Sequence, residues 1–452
     1  MSNYRRRDLL RFGTIGLGLR AAITGLPASF LLAGRAQASS TQNRIAILAS
    51  SSQGEPLNVC GPGTYDPNYA DHFTHPRLED IDLLEVVEQN INGVQLGADS
   101  LTHSTEIMLG LEQVQMATCF AALKPEMLAH LVWFNYRTGA NIHPQYKEVL
   151  NCYGQVLGES GRGAEQLPAA IAQEMAALLN TTIAEPLVLG EGAFVSKGSS
   201  LANYSPTKLK TLAQSVGQAL GGMDNFAAMY DSFIDEAYRE VLDNGTAQQR
   251  RFFDQHALSR LEAADFGNSL GQLLEDIDDD TIHSQLQCAA IVAKLKLAPV
   301  ILTNIEFGGD NHQDSGLLNE TNQTLAMLKA LDEYWRVIHE LGIEDEVFFA
   351  NLDVFGRNPS SDGNGRSHHG DFVSGLMVGT HLNGGVVGGW TANSSVQATG
   401  INSTNGTSAD ADIDAEETLA AYYRTIMDAA GVPSDRQELR LPTGTAVESI
   451  TV

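Results

Sequence analysis

In Pro299-Val-Ile-Leu-Thr-Asn-Ile-Glu-Phe307, an apolar run of strand length leads directly into Gly308-Gly309-Asp310-Asn311-His312, and this is the clearest indication of the fold in the sequence. A long amphipathic pattern follows, in which leucines recur at helical spacing up to Leu341. A second apolar run, Val347-Phe-Phe-Ala-Asn-Leu-Asp353, then ends in Val354-Phe355-Gly356-Arg357. Strand, helix and strand in this order predict a βαβ unit with parallel pairing and a right-handed crossover.

Further apolar runs extend this unit into a larger sheet. Runs of strand type occur at 44–50, 127–133, 186–189 and 372–378, and helical patterns cover 107–123, 164–180 and the block 200–297. The pattern predicts an α/β fold with a central, mostly parallel sheet flanked by helices, and a helical block, either an insertion or a layer over the sheet, before the C-terminal βαβ unit. We expect one domain over 39–452, in which the Asn-, Ser-, Thr- and Gly-rich segment 391–413 forms a polar surface loop or hairpin.

The first 38 residues read as an export signal. Arg5-Arg6-Arg7-Asp8-Leu9-Leu10-Arg11 precedes a mildly apolar stretch, and Ala36-Gln37-Ala38 supplies small residues for cleavage. The paired arginines resemble a twin-arginine signal. The sequence therefore predicts the twin-arginine export machinery as a partner, a periplasmic or secreted location, and no stable membrane anchor after cleavage.

Charge and cysteine content narrow the classes of partner. The formal net charge of −27 repels phosphate backbones and argues against nucleic acid as a partner. The four cysteines, Cys60, Cys119, Cys152 and Cys288, have no C-x-x-C spacing. An oxidising compartment permits disulfides between them, whereas buried free thiols are an equally open alternative.

Acids and histidines recur just beyond the strand-like runs, where ligands bind in open α/β sheets. They are Glu55, His143, Asp310, His312, Asp353, His368, His369 and Asp371. Carboxylates and imidazoles without thiolates suit Zn, Mn, Mg or Ca. Each of them also has an ordinary structural role as an alternative, and sequence alone does not show that they converge.

The order of several short motifs resembles an exported family called domain of unknown function 1501, which belongs to the alkaline phosphatase and sulfatase superfamily. The resemblance rests on Phe307 to His312, on Phe355-Gly356-Arg357-Asn358-Pro359, on His368-His369-Gly370 and on Tyr422-Tyr423-Arg424. It implies an alkaline-phosphatase-like sheet with metal ligands at strand ends. On that basis the best metal candidates are Asp310, His312 and His369, and His368, Glu55 and His143 are further candidates.

The resemblance also implies an activity, hydrolysis of a phosphate or sulfate ester, in which Arg357 would hold the oxyanion or else tie down its own turn. Asp353 is the second catalytic candidate, although the family's acid falls at Val354, and His368 stands where the family has Asp. Ser51, Ser52 and Thr64 are the hydroxyls nearest the first strand's end. These departures leave two hypotheses open: a metal-dependent hydrolase acting on an unknown small-molecule ester, and a non-catalytic envelope binding protein with a degenerate metal site.

Overall fold

A computed structural model describes residues 43–158, 164–222, 270–305, 309–361 and 363–451, with the side chains of 215–222 excepted. The predicted export signal, residues 223–269 of the predicted helical block 200–297, and residues 307 and 308 of the glycine motif lie outside the described residues.

A mixed sheet of eight strands forms the centre of the molecule. Its strands are β1 (Ile45–Ser51), β2 (Leu131–Tyr136), β3 (Leu187–Leu189), β4 (Asn203–Tyr204), β5 (Val300–Thr303), β6 (Val347–Asp353), β7 (Val373–Val378) and β8 (Gly385–Val387). Their order is β4-β3-β5-β1-β6-β7-β2-β8. Every neighbouring pair is parallel except the two that involve β7, so β7 runs against the other described strands of this sheet. The predicted α/β class with a mostly parallel sheet is confirmed.

The two strands of the predicted βαβ unit are not neighbours, because a third strand lies between them. Strands β5 and β6 run in the same direction, but β1 lies between them, with Ala49 opposite Thr303 on one side and Asn351 on the other. Direct pairing of the two runs was therefore the wrong expectation. Every residue of β1 and β6 is buried, as in a strand covered on both faces.

The described residues include six helices of seven or more residues. They are α1 (Leu167–Leu179), α2 (Pro206–Gly222), α3 (Ile282–Lys294), α4 (Leu318–Glu340), α5 (Thr418–Ala430) and α6 (Ser434–Arg440). Helix α3 packs on α4, whereas α5 packs on α1 and α6. Trp133 and Phe134 are neighbours on β2 and so point to opposite faces. Trp133 contacts Phe120 of a segment that touches α4, and Phe134 contacts Tyr422 of α5, which places these helices on opposite faces.

Helix α4 begins with a carboxylate cap. Asp314 accepts hydrogen bonds from the backbone N–H groups of Asn319 and Glu320 at 2.8 and 2.9 Å. These are donors that the first turn of a helix leaves without an intrahelical partner, and the helix dipole favours an anion there. The cap therefore fixes the loop between β5 and α4, which carries the candidate residues Asp310 and His312.

The predicted helix at 107–123 is wrong. Strands Ser104–Leu109 and Glu112–Ala117 form an antiparallel hairpin, followed by a 3₁₀ turn. Ile107 and Leu109 are buried while Met108 between them is exposed, which is the two-residue period of a strand. Gly110 makes the turn with a φ of +56°, and a Cβ there would meet the Gly384 carbonyl oxygen at 1.8 Å.

Shorter elements complete the described chain. Two-stranded pairs join Gln89–Ile91 to Val94–Leu96, Val195–Ser196 to Ser199–Ser200, Gly356–Arg357 to His368–His369, and Trp390–Ala392 to Val396–Ala398. The last of these pairs lies at the start of the predicted polar segment. Short helices span Leu57–Cys60, Pro125–Leu128 and Tyr146–Leu150. All four cysteines are buried and free. No helix in the described ranges is both long and apolar enough to cross a bilayer.

Candidate metal centre

The candidate site lies at the edge of the sheet where β1, β2, β5 and β6 end and where the reversed strand β7 begins. His143 opens a 3₁₀ turn in the loop after β2. Asp310 and His312 follow β5. His368 precedes β7, in a two-residue strand paired with Gly356–Arg357. Because β7 runs against its neighbours, the residues before it reach the edge that the other strands reach with their ends.

Three imidazoles converge at this edge. The side-chain nitrogens of His143, His312 and His368 that face one another lie within 4.8 Å. The Nε2 atoms of His143 and His368 are 3.1 Å apart, and Nε2 of His312 contacts Nε2 of His368. Two ligands bound tetrahedrally to zinc at ordinary Zn–N lengths lie about 3.3 Å apart. The histidines therefore have the spacing of ligands to one ion.

The second ring nitrogen of two of these histidines is oriented by the backbone. Nδ1 of His143 lies 2.7 Å from the Ser52 carbonyl oxygen, and Nδ1 of His368 lies 2.6 Å from that of Asn141. A carbonyl only accepts, so each Nδ1 carries the proton and each Nε2 presents a lone pair. This is the outer-shell arrangement that orients metal-binding histidines in proteins.

Asp310 adds a carboxylate to the three imidazoles. Its Oδ2 lies 3.7 Å from Nε2 of His143, and its Oδ1 lies 3.8 Å from Nε2 of His312. Oδ1 also accepts a 2.8 Å hydrogen bond from Nη2 of Arg357. The Asp310 side chain is 42% exposed, so the cluster opens to solvent.

Burial and nearby charges shift the pKa values of Asp310, His312 and His368. Desolvation raises the pKa of Asp310, but the hydrogen bond and positive charge of Arg357 outweigh it and leave the pKa below its usual value. Desolvation and then the charge of Arg357 lower the pKa of His312. Desolvation also lowers the pKa of His368, against the raising effect of its bond to the Asn141 carbonyl. An ionised carboxylate and neutral imidazoles are the protonation states that metal binding requires.

Phe355 packs against two of the histidines. Its ring centroid lies 4.1 Å from that of His368 and 5.2 Å from that of His143, and the side chain is fully buried. Gly54 lies against this ring with a φ of +81°, and a Cβ there would stand 2.0 Å from Phe355 Cε2. Only a glycine fits at position 54 without displacing the Phe355 ring, which packs against the imidazoles.

Other predicted site residues lie beside the cluster rather than in it. Nε2 of His369 lies 2.6 Å from the Val396 carbonyl oxygen, because successive side chains of a strand point to opposite sides. Glu55 is buried where its backbone bridges to Gly356. Asp353 is buried at the end of β6 and accepts from the Asn351 amide. Asp371 pairs with Arg137 at 2.9 Å.

The candidate hydroxyls have local partners. Ser51 accepts a hydrogen bond from the Gln53 N–H, and Thr64 donates to the Gly61 carbonyl. Ser52 contributes its backbone carbonyl to His143.

A buried ion pair behind the site was not foreseen. Arg366 and Glu320 are both buried, with Nε–Oε2 and Nη2–Oε1 distances of 2.7 and 3.1 Å. Asn311, between Asp310 and His312 in sequence, donates to the same carboxylate at 2.7 Å and accepts from the Arg366 N–H through its carbonyl. The pair therefore joins the segments that carry His312 and His368.

Fold and site together define an α/β protein with a three-histidine candidate metal centre at the carboxyl edge of its sheet. No protein-family model matches the sequence, and no curated protein matches it either.

Proposed function

We propose that His143, His312 and His368 bind one divalent metal ion and that the protein is a metal-dependent hydrolase. The observation that carries the proposal is the convergence of their Nε2 atoms while Nδ1 of His143 and of His368 is held at a backbone carbonyl. Two lone pairs 3.1 Å apart repel each other, and a cation between them turns that repulsion into attraction.

The donor set favours a particular kind of ion. Imidazole suits zinc and its neighbours in the first transition row, whereas Mg and Ca prefer ligand shells made of oxygen. Of the four ions that the sequence left open, zinc therefore stands first and manganese second. His368, an imidazole where the resemblance would place an acid, is the residue that moves the preference towards zinc.

The exposed side of the cluster is where a substrate would meet the ion. Three protein ligands and an open position are the arrangement of catalytic zinc sites, and an ion in such a site activates water and polarises the scissile bond. The chain's own residues then orient the ligands. The two carbonyls fix the His143 and His368 tautomers, and Arg357 fixes the ionised Asp310 carboxylate.

The proposed substrate class and location follow from the sequence. The resemblance to alkaline-phosphatase-like proteins supports a phosphate or sulfate ester, and the twin-arginine pattern supports export in the folded state to the periplasm or beyond. A small-molecule ester is the proposed ligand, with the export machinery as a partner.

Metal content tests the proposal. Protein purified without chelator and supplied with zinc should bind about one ion per chain, and His368→Ala should lose it. His369→Ala is the matched control, because that ring faces the Val396 carbonyl and should leave binding intact. Equal binding by both variants, or no binding by the wild type, would overturn the proposal. A panel of phosphate and sulfate esters then tests hydrolysis.

A second candidate is a non-catalytic envelope binding protein on the same fold. It is favoured by the fully buried Arg357 side chain, whose hydrogen bonds run to Asp310 and backbone carbonyls rather than to a free surface. This candidate predicts bound metal without hydrolysis of any ester in the panel. Turnover that disappears in His368→Ala and persists in His369→Ala would exclude it.

A further inference from the structure

A cavity lies at the edge of the sheet opposite the candidate metal centre. It is bordered by Ala129, which precedes β2, and by Gly384 and Gly385 at the start of β8. His143 instead follows the end of β2, so the six residues of this strand, about 20 Å, separate the two places. The cavity has a volume of 540 Å³, which lies within the range of small-molecule sites.

Backbone hydrogen bonds hold the walls of this cavity in place. On one side, the N–H of Gly110 in the hairpin turn donates to the Leu128 carbonyl at 3.1 Å. On the other side, Asn383 donates from its backbone N–H to the Ile450 carbonyl and from its side-chain amide to the Ser449 carbonyl, both at 2.8 Å. The walls are therefore formed before a ligand binds, and binding costs little ordering of the chain.

Glu112 brings a carboxylate to the cavity. Its Oε2 accepts a hydrogen bond of 3.1 Å from the Val386 N–H, at the outer side of β8, which is the last strand in the order of the sheet. The N–H and C=O groups of a strand residue point to the same side, so the Val386 carbonyl also faces away from β2. Two hydrogen-bond acceptors, a carboxylate and a carbonyl, therefore lie on the free side of β8.

The rest of the lining carries no counter-charge for this carboxylate. Among the described residues that line the cavity, Glu112 has the only ionisable side chain. Leu111 is 96% exposed at the rim, and Val386, Val387 and Ile450 are aliphatic residues of the lining. With a formal net charge of −27, the whole protein also attracts cations. The cavity thus suits a ligand with a positive charge and N–H donors at one end and an apolar part at the other.

We propose that this cavity binds a small organic cation, whose N–H groups donate to the Glu112 carboxylate and the Val386 carbonyl and whose apolar part lies against Ile450. Charge-assisted hydrogen bonds to the carboxylate make the cavity selective for a cation over a neutral molecule of the same shape. The proposal does not depend on the proposed metal centre, which lies at the other edge of the sheet.

Benzylammonium is the probe, and benzyl alcohol is its neutral counterpart of similar shape. In methyl-resolved NMR of the full chain, benzylammonium should shift the methyl signals of Leu111, Val386 and Ile450, and benzyl alcohol should bind about 10-fold more weakly. Glu112→Gln keeps an oxygen that accepts from the Val386 N–H but removes the charge. This variant should weaken benzylammonium binding by about 10-fold.

Glu106→Gln is the matched control. Glu106 lies on the other strand of the same hairpin, accepts from the Gln113 amide at 2.7 Å and does not line the cavity. The variant removes the same charge and should leave benzylammonium binding unchanged. His368→Ala should also leave it unchanged, because the cavity and the metal centre lie at opposite edges of the sheet.

Four results would overturn the proposal: no saturable binding by the wild type, benzyl alcohol binding as tightly as benzylammonium, equal losses in Glu112→Gln and Glu106→Gln, or methyl shifts away from the cavity. Loss of binding in His368→Ala would also overturn it, because the amine would then bind at the metal centre. If Glu112→Gln does not fold, the wild-type methyl shifts and the comparison with benzyl alcohol decide.

Discussion

Replacing Gly54 by alanine should displace the Phe355 ring and so disturb the His143 and His368 side chains that pack against it. The new Cβ would stand 2.0 Å from Phe355 Cε2, at a φ of +81°. The left-handed backbone costs a residue with a Cβ about 1–2 kcal/mol. Displacing a fully buried ring costs about 1–3 kcal/mol more, as overpacking does in other cores. We expect the free energy of unfolding to fall by about 2–5 kcal/mol.

The same substitution should weaken metal binding, because Phe355 packs on His143 and His368. A ring shift moves both imidazoles away from the geometry of ligands to one ion, and losses of outer-shell support typically cost about 10- to 100-fold in metal affinity. Urea unfolding of metal-free protein measures the stability loss, and chelator competition with zinc measures the affinity.

Gly342→Ala is the matched control for backbone strain. Gly342 has a φ of +62°, but a Cβ there would meet no atom within 4 Å. Gly342→Ala should lower the free energy of unfolding by about 1–2 kcal/mol and leave the zinc affinity unchanged. If Gly54→Ala matches this control in both stability and affinity, the argument that Phe355 supports the site is wrong.

Three further predictions concern metal choice, the buried ion pair and pH. His368→Asp replaces an imidazole by a carboxylate and should shift the metal preference from zinc towards manganese, seen as a changed ratio of the two affinities; an unchanged ratio would count against ligation by His368. Glu320→Gln leaves Arg366 buried without its counter-ion and should lower the free energy of unfolding, measured in urea, by about 3–5 kcal/mol. The control Glu340→Gln removes one partner of an exposed pair and should lower it by about 1 kcal/mol or less, so equal losses would contradict the prediction. Burial lowers the pKa of His75 to about 4, below the ordinary value of 6.5 for an unfolded chain. The unfolded state therefore binds more protons between those values, so the free energy of unfolding should fall by about 2.5 kcal/mol as pH drops from 6.5 to 4. His75→Phe should flatten this slope, and an unaltered slope would refute the assignment.

The central strands were predictable because burial on both faces leaves a continuous apolar run. This holds for β1, β5, β6 and β7, and the long leucine pattern likewise predicted α4. Their order in the sheet was not predictable. The insertion of β1 between β5 and β6 depends on contacts across 250 residues or more, which no local pattern records. The hairpin that replaced the predicted helix at 107–123 shows the same limit, because its Gly110 turn is fixed by the distant Gly384.

The sequence identified the candidate residues, but it did not show which of them lie close together in the structure. The sequence named Asp310, His312, His143 and His368, because each follows or precedes an apolar run. The resemblance to a known family ranked His369 above His368, whereas the structure turns the His369 ring to the Val396 carbonyl. The pairing of Arg366 with Glu320, which are 46 residues apart and carry no motif, was also missed.

The large sequence separation of the three histidines bears on the stage of folding at which the site forms. His143 and His368 are 225 residues apart, and His312 and His368 are 56 apart. Contacts so distant in sequence slow folding, because the entropy of closing the intervening loops is lost before the contact is gained. The imidazoles meet only once β2, β5 and β7 have taken their places in the sheet. A metal ion would therefore load onto a finished fold, and by closing a 225-residue loop it would act as a non-covalent cross-link between the two halves of the chain.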